Sequence, residues 1–101
     1  MIEEFEAWFR EHEPQFKDSS VQVEVTKRDI HTRAIMAELE SEWYIASIAL
    51  WEAGGLDIHI LSKSKADAVY AQRYDPENVT EMLSILEGAY CKFLHHSLDS
   101  V

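Results

Sequence analysis

Trp43-Tyr44-Ile45-Ala46-Ser47-Ile48-Ala49-Leu50-Trp51-Glu52-Ala53-Gly54-Gly55-Leu56-Asp57-Ile58-His59-Ile60-Leu61-Ser62 is the stretch whose reading decides the fold. Its first part, Trp43 to Trp51, is apolar on both sides of an extended strand, as central strands covered on both faces are. The run stops at Gly54-Gly55, a pair suited to positive backbone φ. It then resumes as an alternating strand in which Leu56, Ile58 and Ile60 oppose Asp57, His59 and Leu61. Two such strands around a glycine turn predict a β-hairpin at the middle of an antiparallel sheet.

Working outward, three more strands are expected. Val21, Val23 and Val25 alternate with Gln22, Glu24 and Thr26, giving one dry and one wet face. Lys27-Arg28-Asp29-Ile30-His31 reads as a polar connection. A second strand follows over about Thr32 to Leu39 and turns at Glu40-Ser41. Lys63-Ser64-Lys65-Ala66 is a polar turn into a fifth strand from about Asp67 to Tyr74.

Helices are expected at both ends. Ile2, Phe5, Trp8 and Phe9 recur at helical spacing, with Glu3, Glu4, Glu6 and Glu11 toward water. Pro14 disfavours helical angles at Glu13, so the helix should end near Glu11 or His12. Phe16 then tucks against the core edge and Lys17-Asp18-Ser19-Ser20 turns. At the other end, Asp75-Pro76-Glu77-Asn78 is a helix start with Asp75 as cap and Pro76 in the first turn. Val79, Met82, Leu83, Leu86, Tyr90 and Phe93 supply the apolar stripe, and residues 97–101 are expected to fray.

The expected fold is therefore α+β: a two-layer, five-stranded antiparallel β-meander with N-terminal and C-terminal helices packed on one face. At 101 residues the chain makes one domain. Helices on one side leave the second face with Trp51, Trp43 or Tyr44, and some of Tyr70 and Tyr74 uncovered. An uncovered aromatic patch marks a dimer or a binding surface.

Charge narrows the function. Nine basic residues against 19 acidic ones give a formal charge of −10. Direct nucleic-acid binding needs clustered Lys and Arg, and an anionic membrane surface repels such a chain. No lysine or arginine lies between Arg33 and Lys63, whereas Glu38, Glu40, Glu42, Glu52 and Asp57 do. The charge reads either as ordinary solubility or as complementarity to a partner with a basic surface. The first residues lack a basic start and apolar stretch, so a cytoplasmic location is expected. Cys91 has no second cysteine to pair with and sits in the last helix as a small apolar filler.

No catalytic or metal-binding pattern emerges. His12, His31, His59, His95 and His96 fall in different elements without metal-ligand spacing, and Gly54-Gly55 lacks the spacing and lysine of a phosphate loop. His59 and Asp57 share a strand face, but no nucleophile or oxyanion donor accompanies them. No cofactor and no catalytic residue is assigned. Trp51, ringed by Glu52, Asp57, Glu38, Glu40 and Glu42, is the candidate partner-binding set, with an aromatic anchor for affinity and carboxylates for steering. The alternative for Trp51 is a core residue anchoring the hairpin, and for each carboxylate ordinary solvation.

Residues 48–58, Ile48-Ala49-Leu50-Trp51-Glu52-Ala53-Gly54-Gly55-Leu56-Asp57-Ile58, resemble the bacterial polymorphic-toxin immunity proteins of the TriTu family. The aromatic first helix (Phe5-Glu6-Ala7-Trp8-Phe9), the strand Tyr70-Ala71-Gln72-Arg73-Tyr74-Asp75 and the closing helix extend the resemblance over about residues 2–94. It implies a non-catalytic antidote that binds a cognate toxin domain, of which a nuclease with a basic cleft is one kind. The rival readings are a small acidic secretion-chaperone-like protein, a homodimeric module, and a small enzyme using His59 and Asp57. Secretion chaperones usually carry a helix between successive strands, and the Glu52–Gly55 connection leaves no room for one.

Overall fold

The computed structural model describes residues 1–29, 32–65 and 67–99, with side chains as far as Leu94. The elements run α1 (Ile2–Glu11), α2 (Glu13–Asp18), β1 (Gln22–Arg28), β2 (Ala34–Glu40), β3 (Tyr44–Trp51), β4 (Leu56–Ser62), β5 (Ala68–Tyr74) and α3 (Val79–Asp99). The five strands form one sheet in the order β1-β2-β3-β4-β5, every neighbour antiparallel. This is the expected meander, because connections this short can only join adjacent antiparallel strands. Gly54 has φ of 113°, the left-handed conformation the hairpin turn required.

The helices cover one face. Phe5, Trp8 and Phe9 of α1, Phe16 of α2, and Met82, Leu86, Ala89, Tyr90 and Phe93 of α3 share a core with inward residues of the sheet. Ile35, Ala37 and Leu39 of β2, Tyr44, Ala46, Ile48 and Leu50 of β3, and Leu56, Ile58 and Ile60 of β4 all belong to it. Register explains the shared face: Ala37 lies opposite Ile48, and Ile48 opposite Ile58, so the period of two carries apolar side chains straight across the strands. Tyr90 packs edge-on against Phe16 and Trp8 at centroid distances of 5.1 and 6.0 Å, joining α3 to the N-terminal helices.

Three local features depart from the sequence reading. The first helix ends at Glu11 as expected, but Glu13 is helical: Pro14 sits in the first turn of α2, where a missing N–H costs nothing. That short helix ends with Ser20 at φ 58°, while Val21 N–H donates to the Phe16 carbonyl at 2.8 Å and Ser20 N–H to that of Lys17 at 3.1 Å. This is a Schellman closure with serine in glycine's usual place. Strand β2 begins at Ala34 rather than Thr32. Of the expected connection after β1, Lys27 and Arg28 belong to the strand, and Ile30 and His31 lie outside the described residues.

The cap of α3 is Asn78 rather than Asp75, since its Oδ1 accepts the Glu81 N–H at 2.8 Å. Helix α3 starts at Val79, three residues later than the sequence reading set it, so Asp75 is too far from the first turn to reach its N–H groups. Asn78→Ala should lower stability by about 1 kcal/mol, whereas Asp75→Ala should change it by less than about 0.5 kcal/mol, as urea unfolding midpoints would show. The reverse order would return the cap to Asp75. As for the 97–101 tail, α3 continues to Asp99, and Ser100 and Val101 lie outside the described residues.

Candidate functional site

With the helices on one side, the other side of the sheet has no covering layer among the described residues. Its composition follows from register. One row across the strands reads Glu24, Glu38, Ser47, His59 and Ala71. The next reads Thr26, Met36, Ala49, Asp57 and Arg73. Beyond it lie Arg28, Ala34 and Trp51, and in the opposite direction Gln22, Glu40, Ile45 and Leu61. Met36, Ile45 and Leu61 are exposed on this face. Tyr44, Tyr70 and Tyr74 are not on it. Their parity places them on the helix-covered side, so of the aromatic residues considered for this face Trp51 alone lies within its rows, and Trp43 is exposed just before β3.

The six residues singled out from sequence divide by position. Trp51, Glu52 and Asp57 gather at the β3–β4 turn. Glu38 lies in the middle of β2. Glu40 and Glu42 lie at the far end; Glu40 is level with Ile45, six residues and about 20 Å of extended strand from Trp51. The charge pattern changes equally. Bases from outside the acidic stretch reach back to it: Lys63 to Glu40 at 2.7 Å, Arg73 to Asp57 at 3.3 Å, and Arg33 to Glu52 at 3.8 Å. Among the described residues, Glu38 and Glu42 have no ion pair. Glu38 also faces Glu24 directly across the β1–β2 ladder, a like-charge opposition that opposes folding. Glu24 was missed because its valine-flanked strand lies outside the acidic run.

Trp51 is neither buried core nor free. It is half-buried on the uncovered face, and its indole Nε1–H donates to Asp57 Oδ2 at 3.1 Å. Asp57 in turn accepts from Arg73 Nη1, so a single carboxylate fixes both the ring and the guanidinium. Beside the ring is a shallow depression of about 240 Å³, floored by Ala34 and Ala49 and walled by Met36, Trp51 and Arg28. A second, of about 200 Å³, is bounded by Glu24, Glu38, Glu40 and Ile45. Glu38 borders both. The face thus offers an apolar recess and an acidic recess side by side, which suits a protein contact better than a small molecule.

His59 is exposed on the same face, between Ser47 and Ala71. Asp57 is engaged by Trp51 and Arg73, and among the described residues no carboxylate orients His59. Among the described residues no three His, Cys, Asp or Glu side chains converge as a metal-ion site, and no helix is long and apolar enough to cross a membrane.

On the covered side, the Tyr70 and Tyr74 hydroxyls contact one another and Lys92 Nζ sits 5.2 Å above the Tyr70 ring. Burial, then the bond to Tyr74, pushes the Tyr70 phenol up to about 12. A raised folded pKa means that the unfolded chain loses this proton first as pH climbs. The contribution of Tyr70 to stability is therefore complete below about pH 10 and lost between about 10 and 12. Urea midpoints should fall across that window for the native chain and fall less for Tyr70→Phe. Equal declines would assign the effect elsewhere.

Comparison with curated proteins finds no significant match. A family model described as Immunity protein TriTu matches residues 3–93, from the first turn of α1 through the last core residue of α3. All five strands, the glycine hairpin and the aromatic contacts between the terminal helices fall inside the match. The chain belongs to the TriTu family of immunity proteins.

Proposed function

We propose that this immunity protein neutralises a cognate toxin domain by binding it through the uncovered sheet face, without catalysing a reaction. The supporting observation is the apolar recess beside Trp51 bordered by Glu38, which has no ion pair among the described residues. Trp51 is held in place by Asp57, so its ring enters a contact at little entropic cost. Glu38, with Glu40 and Glu42 toward the far end, draws in a basic surface of the toxin and speeds capture. Glu52 and Asp57 complete the rim at the hairpin end. An antidote acting in the cytoplasm of the producing cell gains from fast association, because toxin that escapes capture acts at once.

The test is to express candidate toxin domains, taken first from any neighbouring genes, with and without the immunity chain. Rescue of growth and isolation of a stoichiometric complex are expected. A chain that protects cells without binding the toxin, or that turns over a metabolite unaided, would refute the proposal.

A further inference from the structure

The sheet has two outer edges, and they differ. β5 joins β4 through a register irregularity between Ile60 and Leu61, the kind of bulge that turns an edge away from further pairing. β1 joins β2 without a break, all seven residues from Gln22 to Arg28 in register, and contains no proline. Its outer N–H and C=O groups have no hydrogen-bond partner among the described residues. A groove of about 560 Å³ runs beside it, lined by Phe9, Phe16, Val21, Val23 and Val25 and rimmed by charged side chains of α1 and α2. There is room next to β1 for another extended chain and its side chains.

The charges on β1 indicate which chain. Glu24 and Arg28 are both exposed on the uncovered face, one toward each end of the strand. Among the described residues neither has an ion-pair partner, and Glu24 is already set against Glu38. Antiparallel pairing of β1 with itself around Thr26 keeps both helix layers on one side of a continuous sheet. It places Glu24 opposite Arg28 of the second copy, and Arg28 opposite Glu24 of the second copy. Val25 meets Lys27 of the second copy on the groove side, where a lysine stem packs well on apolar surface. We infer that β1 is a self-pairing edge through which two copies form a ten-stranded sheet. This inference stands apart from toxin binding. It uses Glu24 and Arg28 of the β1 edge, which border the two recesses, and leaves Trp51, Glu38 and Glu40 unpaired by the second copy.

The experiment follows from the two-fold symmetry. Full-length chain should show a concentration-dependent dimer in sedimentation equilibrium, weakened by salt. Glu24→Arg brings two arginines together twice, and Arg28→Glu brings two glutamates together twice. Each should raise the dimer dissociation constant by about tenfold or more. Mixing the two variants restores opposite charges at both cross-strand pairs. The residue introduced by Glu24→Arg then faces the one introduced by Arg28→Glu, and the native Arg28 of the first variant faces the native Glu24 of the second. A mixed dimer should therefore form as tightly as the native one and be visible in native mass spectrometry. Both substitutions lie on an exposed strand face, and unchanged circular dichroism would confirm folding. A native chain that stays monomeric at high micromolar concentration overturns the inference. So do single variants that dimerise undiminished, or a mixture that forms no mixed dimer.

Discussion

Ile58→Ala is expected to lower the unfolding free energy by about 2–5 kcal/mol. Ile58 is 1% exposed in the central part of the sheet, opposite Ile48, with the helix layer above it. Truncation removes buried methyl and methylene groups and leaves a cavity that the paired backbone cannot collapse to fill. A domain of this size commonly has only about 5–15 kcal/mol in total, so the variant should unfold at markedly lower urea concentration. Ile45→Ala supplies the contrast. Ile45 is on the neighbouring strand but 39% exposed on the uncovered face, and its loss should change stability by less than about 0.5 kcal/mol. If the two isoleucines proved equally costly, the helices would not cover the side of the sheet described here.

Trp51→Ala is expected to weaken toxin binding by about 100-fold or more, chiefly through faster dissociation. The ring combines area with a fixed orientation, and alanine forfeits both while releasing Asp57 to Arg73 alone. Carboxylates should behave differently. Glu38→Lys should slow association, most strongly at low salt, and flatten the salt dependence. Glu42→Lys and Glu52→Lys, at opposite ends of the face, should have smaller effects, Glu52 because Arg33 already offsets it. Affinity and association rates at two ionic strengths would separate these terms. A folded Trp51→Ala chain that binds as the native one does, together with an unaffected Glu38→Lys, would move the interface to another surface.

How much was legible in sequence depended on the range of the physics involved. The glycine hairpin, the alternation Leu56-Asp57-Ile58-His59-Ile60 and the aromatic spacing of α1 are set by backbone sterics and periodic burial within a few residues, so the strands and terminal helices were readable directly. Caps were less so. Asp75 and Asn78 both suit the role, and the choice turned on where α3 begins, at Val79.

The composition of the uncovered face lay further out of reach. Whether Tyr70 and Tyr74 join Trp51 depends on pairing register across β4 and β5. The one-signed stretch between Arg33 and Lys63 was real in sequence, yet folding brings Lys63, Arg73 and Arg33 back onto Glu40, Asp57 and Glu52. It also sets Glu24 across from Glu38, 14 positions away in the chain. Periodicity is a local property and determined the elements and their order, while composition set the excess of negative charge. Coulomb interactions and side-chain neighbours act through space, so only the tertiary structure decided which carboxylates remain unpaired and which strand edge stays open.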